Sequence, residues 1–100
     1  MDLLYRISNT VRAESELESA INYYQEVAND RVAKNFINEF VRILDFIKTF
    51  PFQRRYKGDL RGVSMKKYPY IVFYVVDEKE REIIIKGVFN TYQDVSKYPE

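Results

Sequence analysis

Residues 70–76 read YIVFYVV, seven apolar or aromatic side chains in an unbroken row. A strand with one face in water alternates apolar and polar residues. This one does not, so it must be covered on both faces. It lies at the centre of the stretch 59–94, which reads as three consecutive strands followed by a polar hook. That stretch holds the longest apolar run and much of the most basic one, so any chemistry is expected there.

The flanking strands are read from alternation. In 61–67, Val63 and Met65 point inward while Ser64 and Lys66 point outward. This parity puts Arg61 on the inward side, either at the mouth of the core or re-aimed by a bulge. Residues 77–80 form a charged hairpin turn. In the last strand Ile83, Ile85 and Phe89 are expected on one face, with Glu82, Ile84, Lys86, Val88 and Asn90 on the other. The tail TYQDVSKYPE reads as polar and irregular.

The first half is helical. Leu3, Tyr5 and Ile7 alternate with Leu4, Arg6 and Ser8 and suggest a short strand with one clearly apolar face, after which Ser8 or Asn9 is expected to cap a helix over 10–28. Ala13, Leu17, Ala20, Ile21, Tyr24 and Ala28 form its apolar stripe. Asn29 and Asp30 cap a second helix whose stripe is Ala33, Phe36, Ile37, Phe40, Val41, Leu44 and Ile47, widened by Phe46 and Phe50. Pro51 ends it. Residues 54–56 suggest one more short strand before a turn at Gly58-Asp59. Phe52, Phe73 and Phe89 complete the expected aromatic core.

One strand, a helical hairpin and then sequential strands imply an α+β fold in a single domain over 1–100. The sheet is expected to be an antiparallel meander of three to four strands with the helices packed against it. There is no Cys and no His, which excludes disulfides and thiolate metal sites and removes the usual acid–base group near neutral pH. No cofactor and no metal are expected. The N-terminus lacks the form of a signal peptide, and no apolar run approaches the ~20 residues that span a bilayer. A cytoplasmic protein without membrane association is expected.

Net charge is +1, but its distribution is uneven. Residues 54–68 hold six basic side chains, Arg54, Arg55, Lys57, Arg61, Lys66 and Lys67, against Asp59 alone. Such a run suits phosphate, with Tyr56, Tyr68 and Tyr70 nearby to stack on bases. It suits an acidic protein segment equally, and lysines also guard exposed sheet edges. A second polar group, Lys86, Asn90, Tyr92, Gln93 and Asp94, closes the last strand. There a Tyr hydroxyl or Lys amine could relay a proton while Arg61 and Lys66 stabilise phosphorane-like charge without a metal. The bland alternative is a strand end with Tyr92 as an anchor.

The whole chain resembles the RelE/ParE superfamily, the toxins of bacterial type II toxin–antitoxin modules often described as plasmid stabilisation proteins. The resemblance rests on the strand ending in Ser8, Ala33 to Phe40 (AKNFINEF), Phe50-Pro51, and Leu60-Arg61. It continues through Lys66-Lys67-Tyr68-Pro69-Tyr70 with IVFYVVDE, and Val88-Phe89-Asn90-Thr91. It implies a growth-inhibiting toxin with a cognate antitoxin that wraps it. The first expectation is the ribonuclease branch, metal-independent cleavage of mRNA with the ribosome and mRNA as partners; the alternatives are a non-catalytic ParE-like inhibitor of DNA gyrase and a toxin-fold protein that only binds its antitoxin. Carried onto this sequence, Arg61, Lys86 and Tyr92 are the catalytic candidates. Arg54, Arg55, Lys57, Lys66, Lys67, Asn90 and Gln93 are the candidates for binding RNA or a partner. Where many members end on His and Arg, this chain has Asn90, Tyr92 and Gln93.

Overall fold

A computed structural model describes residues 5–100. In chain order the elements are β1 (Arg6–Asn9), α1 (Val11–Val27), α2 (Asp30–Thr49), β2 (Arg55–Lys57), β3 (Leu60–Ser64), β4 (Tyr70–Asp77) and β5 (Glu82–Asn90), then a 3-10 turn (Val95–Lys97). The fold is α+β, with the helical hairpin packed on a five-stranded sheet of order β1-β5-β4-β3-β2. Strands β2 to β5 form the expected antiparallel meander. Strand β1, in contrast, pairs parallel to β5. Three antiparallel turns leave β2 opposed to β5, and the helical hairpin between β1 and β2 adds one more net reversal. The first and last strands therefore run the same way. Leu3 of the expected first strand lies outside the described residues.

The Thr10 hydroxyl caps α1, not Ser8 or Asn9. Its Oγ1 accepts the Ala13 N–H at 3.1 Å and donates to the Ile85 carbonyl, also at 3.1 Å. Ser8 and Asn9 are still paired with β5, so their backbone cannot turn into the helix. Asn29 does cap α2, accepting the Val32 N–H at 2.9 Å. That helix ends one residue before the Phe50-Pro51 step.

The central strand is buried from Tyr70 through Tyr74, as its unbroken apolar run requires. Its helix-facing side chains, Tyr70, Val72 and Tyr74, meet Phe36, Phe40, Ile43 and Ile47 of α2 and Ala13 and Ala20 of α1. The opposite face holds a second cluster of Leu60, Ile71, Phe73 and Phe89. What covers it is the tail. Tyr98 packs its ring 4.7 Å from Phe73 and 4.9 Å from Phe89. The irregular tail is therefore a structural lid, pinned by one aromatic side chain.

Three aromatics expected in the core are exposed: Phe46 at 43%, Phe50 at 57% and Phe52 at 52%. The buried positions of α2 are Ala33, Phe36, Phe40, Ile43 and Ile47, a strict three–four alternation. Ile43 belongs to that stripe, whereas Ile37, Val41, Phe46 and Phe50 sit beside it in solvent. Phe52 follows the helix on a segment that skirts the sheet rather than entering it.

Candidate functional site: two clefts beside an aromatic wall

Strand β5 contains a bulge. Ile85 faces Tyr74 and Gly87 faces Phe73, which leaves Lys86 as the extra, unpaired residue. One extra residue inverts the alternation beyond it. Val88 and Asn90 therefore share the helix-facing side with Ile83 and Ile85, and Phe89 turns to the opposite cluster. The expected grouping of Ile83, Ile85 and Phe89 on one face, and of Lys86 with Val88 and Asn90 on the other, is corrected by this bulge. Strand β1 covers β5 only as far as Ile85. Beyond it, the Glu16 carboxylate of α1 accepts the Val88 N–H at 2.9 Å.

Past the bulge the polar hook is built by short-range bonds. Asn90 Oδ1 accepts the Tyr92 N–H at 2.9 Å, and its carbonyl accepts the Gln93 N–H at 3.0 Å. The Thr91 N–H and hydroxyl both donate to the Pro69 carbonyl, tying the hook to the start of β4. The Asp94 carboxylate caps the 3-10 turn through the Ser96 N–H, and this bond holds its pKa below the ordinary value.

The hook overhangs a cleft of about 670 Å³ between α1 and the ends of β4 and β5. Tyr23, Tyr24, Tyr70 and Tyr92 line it with Asn90 and Gln93. Tyr24 stands 5.2 Å from Tyr23 and 6.4 Å from Tyr70, ring centre to ring centre. Burial, then the neighbouring phenols, push the Tyr24 hydroxyl up to about 12. Burial also raises Tyr70, against a hydrogen bond with the Asn90 side chain that pulls it down.

A second groove, of about 740 Å³, lies on the other side, between α2 and the end of β3. Arg42, Lys66 and Lys67 line it with Glu39, Phe46 and Tyr68. Glu39 fixes the turn after β3 by accepting the Lys66 N–H at 2.8 Å. Phe36 stands between the two clefts. Its ring is 5.3 Å from Tyr24, 5.4 Å from Tyr70 and 5.1 Å from Tyr68.

Arg61 sits at the mouth of the core, without a bulge in its pairing to β4. Its Nη1 donates to the Gln53 carbonyl at 2.7 Å, and its guanidinium lies 5.1 Å from the centre of the Phe52 ring. Arg54, Arg55 and Lys57 lie on or beside the edge strand β2, with Arg54 stacked over Tyr56. The partly buried Tyr56 ring packs against the second core cluster under Arg54, and Tyr70 belongs to the first, so neither presents a bare face on which a base could stack.

The structure thus gathers Asn90, Tyr92 and Gln93 at one cleft and Lys66 and Lys67 at the other. It does not gather Arg61, Lys86 and Tyr92. Arg61 pairs with Tyr74 and Asn90 with Tyr70, four residues apart on β4. That spacing is roughly 13 Å along the strand direction, with β4 lying between β3 and β5. Lys86 lies in the bulge, its carbonyl facing the Thr10 hydroxyl. Tyr92 is 87% exposed beyond the strand end. Among the described residues no hydrogen bond or ring contact joins the three, and no group of three or more carboxylate side chains is placed to hold a metal. No helix among the described residues is long and apolar enough to cross a membrane.

Tyr23 and Arg42 have no role in the sequence pattern, and Phe46 is expected there in the core rather than at a cleft. The adjacent pair Tyr23-Tyr24 was the available signal, since only one of two neighbours on a helix can face the core. Arg42 and Phe46 carried a similar signal in being one turn apart and off the buried stripe.

No curated protein matches the sequence. Among solved structures, one chain of a chromosomal ParDE toxin–antitoxin system from P. aeruginosa shares the fold with a TM-score of 0.76 at 13% identity. The match covers 89% of this chain and 98% of that one. The family model for the ParE toxin of the type II toxin–antitoxin system parDE matches residues 7–95. With a match over nearly its entire length, on a sheet and hairpin of the same design, this chain belongs to the ParE toxin family.

Proposed function

We propose that this ParE-family chain inhibits bacterial growth in the cytoplasm by binding its target, with DNA gyrase as the target that the family resemblance implies, and that a cognate antitoxin silences it. The observation that carries the binding reading is the separation of Arg61, Lys86 and Tyr92. Metal-free cleavage of RNA needs a proton acceptor and a phosphate-stabilising cation on the same scissile group, within hydrogen-bond reach. Here the Arg61 cation, on β3, is engaged by the Gln53 carbonyl, and the exposed Tyr92 phenol stands beyond the end of β5. Ribosome-dependent mRNA cleavage is the competing reading.

Purified chain should inhibit supercoiling by gyrase and leave mRNA on stalled ribosomes intact. Cleavage of that mRNA, abolished by Arg61→Ala with Tyr92→Phe, would overturn the binding reading.

The basic groove is the natural seat for acidic residues of the antitoxin. Opposed charges across a partly desolvated groove speed association and fix register. Replacing Lys66 and Lys67 together by Ala should weaken the antitoxin complex about tenfold at low salt and less at high salt. A salt-independent affinity, unchanged by the double substitution, would remove the groove from the interface.

A further inference from the structure

We propose that the tyrosine cleft receives a lysine or arginine side chain of the antitoxin; the choice of partner rests on the toxin reading above. Four tyrosine rings line the cleft, and among the described residues its single charged one is Glu16. The faces of aromatic rings carry negative potential and attract ammonium and guanidinium groups. Tyr23 and Tyr92 are solvent-exposed, so their faces are open to an incoming group.

The backbone adds to this polarity. Val27 and Ala28, at the C-terminal end of α1, line the same cleft. A helix C-terminus presents unpaired carbonyls and a partial negative charge, which a basic residue in the last turn usually offsets. The last turn of α1 has none. The start of α2 does little to cancel the effect, because the Asn29 side chain already accepts the Val32 N–H and Asp30 places an acidic side chain in the first turn. Glu16 is occupied by Arg12 and by the Val88 N–H, so the attraction falls to the rings and the carbonyls.

The same features exclude anions. Among the described residues no cation lines the cleft to neutralise a phosphate or carboxylate. Burial and neighbouring phenols alone account for the raised Tyr24 hydroxyl, with no positive charge pulling it down. The basic groove begins where this cleft ends, since Tyr24 of the one and Tyr68 of the other are in ring contact at 5.1 Å. An extended polypeptide advances ~3.3 Å per residue. A few residues of one antitoxin segment can therefore place an acidic side chain on Lys66 and Lys67 and a basic one among the tyrosines.

The test titrates the full chain with N-acetyl-arginine amide, N-acetyl-norleucine amide and N-acetyl-glutamate amide, reading backbone amide shifts by NMR. Arginine amide should move the Tyr23, Tyr92 and Gln93 signals saturably while the other two leave them in place. Tyr92→Ala, at an exposed position, should weaken that response about threefold or more with the melting temperature unchanged. An equal response to norleucine amide, or none to arginine amide, overturns the cation site. With the antitoxin encoded beside this chain, Tyr23→Lys should weaken the complex about tenfold through like-charge repulsion. An unaffected complex, with arginine amide still bound by the unmodified chain, overturns the antitoxin as the source. Failure of the unmodified chain to form any complex instead overturns the toxin reading and leaves the cation site standing.

Discussion

The two clefts share a wall and differ in almost everything else. One is lined by phenols and helix-end carbonyls around a single, already paired carboxylate. The other carries Arg42, Lys66 and Lys67 beside the exposed ring of Phe46. The difference follows from which strand end each cleft borders. The tyrosine cleft borders β5, where the bulge at Lys86 turns Asn90 inward and leaves the lysine behind. The basic groove borders the turn after β3, where the cations of 54–68 end in two consecutive lysines. Opposite polarities on adjoining surfaces favour one oriented partner segment over its reverse, which is how charge patterns discriminate between partners.

The most severe way to break the comparison is to remove the wall. Phe36 is fully buried and touches Tyr24, Tyr68 and Tyr70. Phe36→Ala should cost about 3–5 kcal/mol of folding stability by urea denaturation, through lost burial and the cavity left behind. Phe36→Leu keeps most of the volume and should fold, yet disturb the amides of both Tyr92 and Lys67. A disturbance confined to one of them would show that the clefts do not share this wall.

A smaller effect should fall on the basic side alone. The buried Tyr74 hydroxyl donates to the Pro51 carbonyl at 2.7 Å and takes a longer bond from the Gln53 N–H. It thereby holds the segment that carries Phe52 and anchors Arg61. Tyr74→Phe leaves the Pro51 carbonyl without this partner, a loss of about 1–2 kcal/mol. Amide shifts should change over residues 51–61 and not at Tyr23 or Tyr92. Changes that spread into the tyrosine cleft would mean that the sheet transmits the strain.

Much of this arrangement was legible in the sequence, and the parts that were not have specific causes. The unbroken run at 70–76 announced a strand covered on both faces, and the Asn29 cap and Pro51 bounded α2. The family pattern extended that reading to the whole chain. What periodicity could not give was the bulge. A single unpaired residue leaves no composition signal, yet it decided that Asn90 joins Tyr70 rather than Lys86. Periodicity also overfilled α2, because apolar residues beside a stripe look the same as those within it. Phe46 was counted as core for that reason and proves to border the basic groove. Tyr98 was missed for the opposite reason: one aromatic in a polar tail has no period to detect, and only the exposed face of β4 explains its place.

The subtlest contrast is electrostatic and concerns two phenols, the half-buried Tyr24 and the buried Tyr74. Burial raises both Tyr24 and Tyr74, but the Gln53 N–H and then Arg61 pull Tyr74 down, while the titratable neighbours of Tyr24 are other phenols that push it further up. Tyr24 moves from an ordinary 10.0 to about 12 in the folded chain. A group whose pKa is raised by folding gives its full stabilisation below the unfolded value and loses it as pH climbs towards the folded one. Stability should therefore hold up to about pH 10 and decline between pH 10 and 12, because the unfolded chain releases the proton first. Urea denaturation at pH 8, 10 and 11 would show the decline. Tyr24→Phe should flatten it without abolishing it, since Tyr70 and Tyr74 are shifted in the same direction. If the variant declines as steeply as the unmodified chain, a cation has reached the Tyr24 hydroxyl, and the charge contrast between the two clefts fails at its centre.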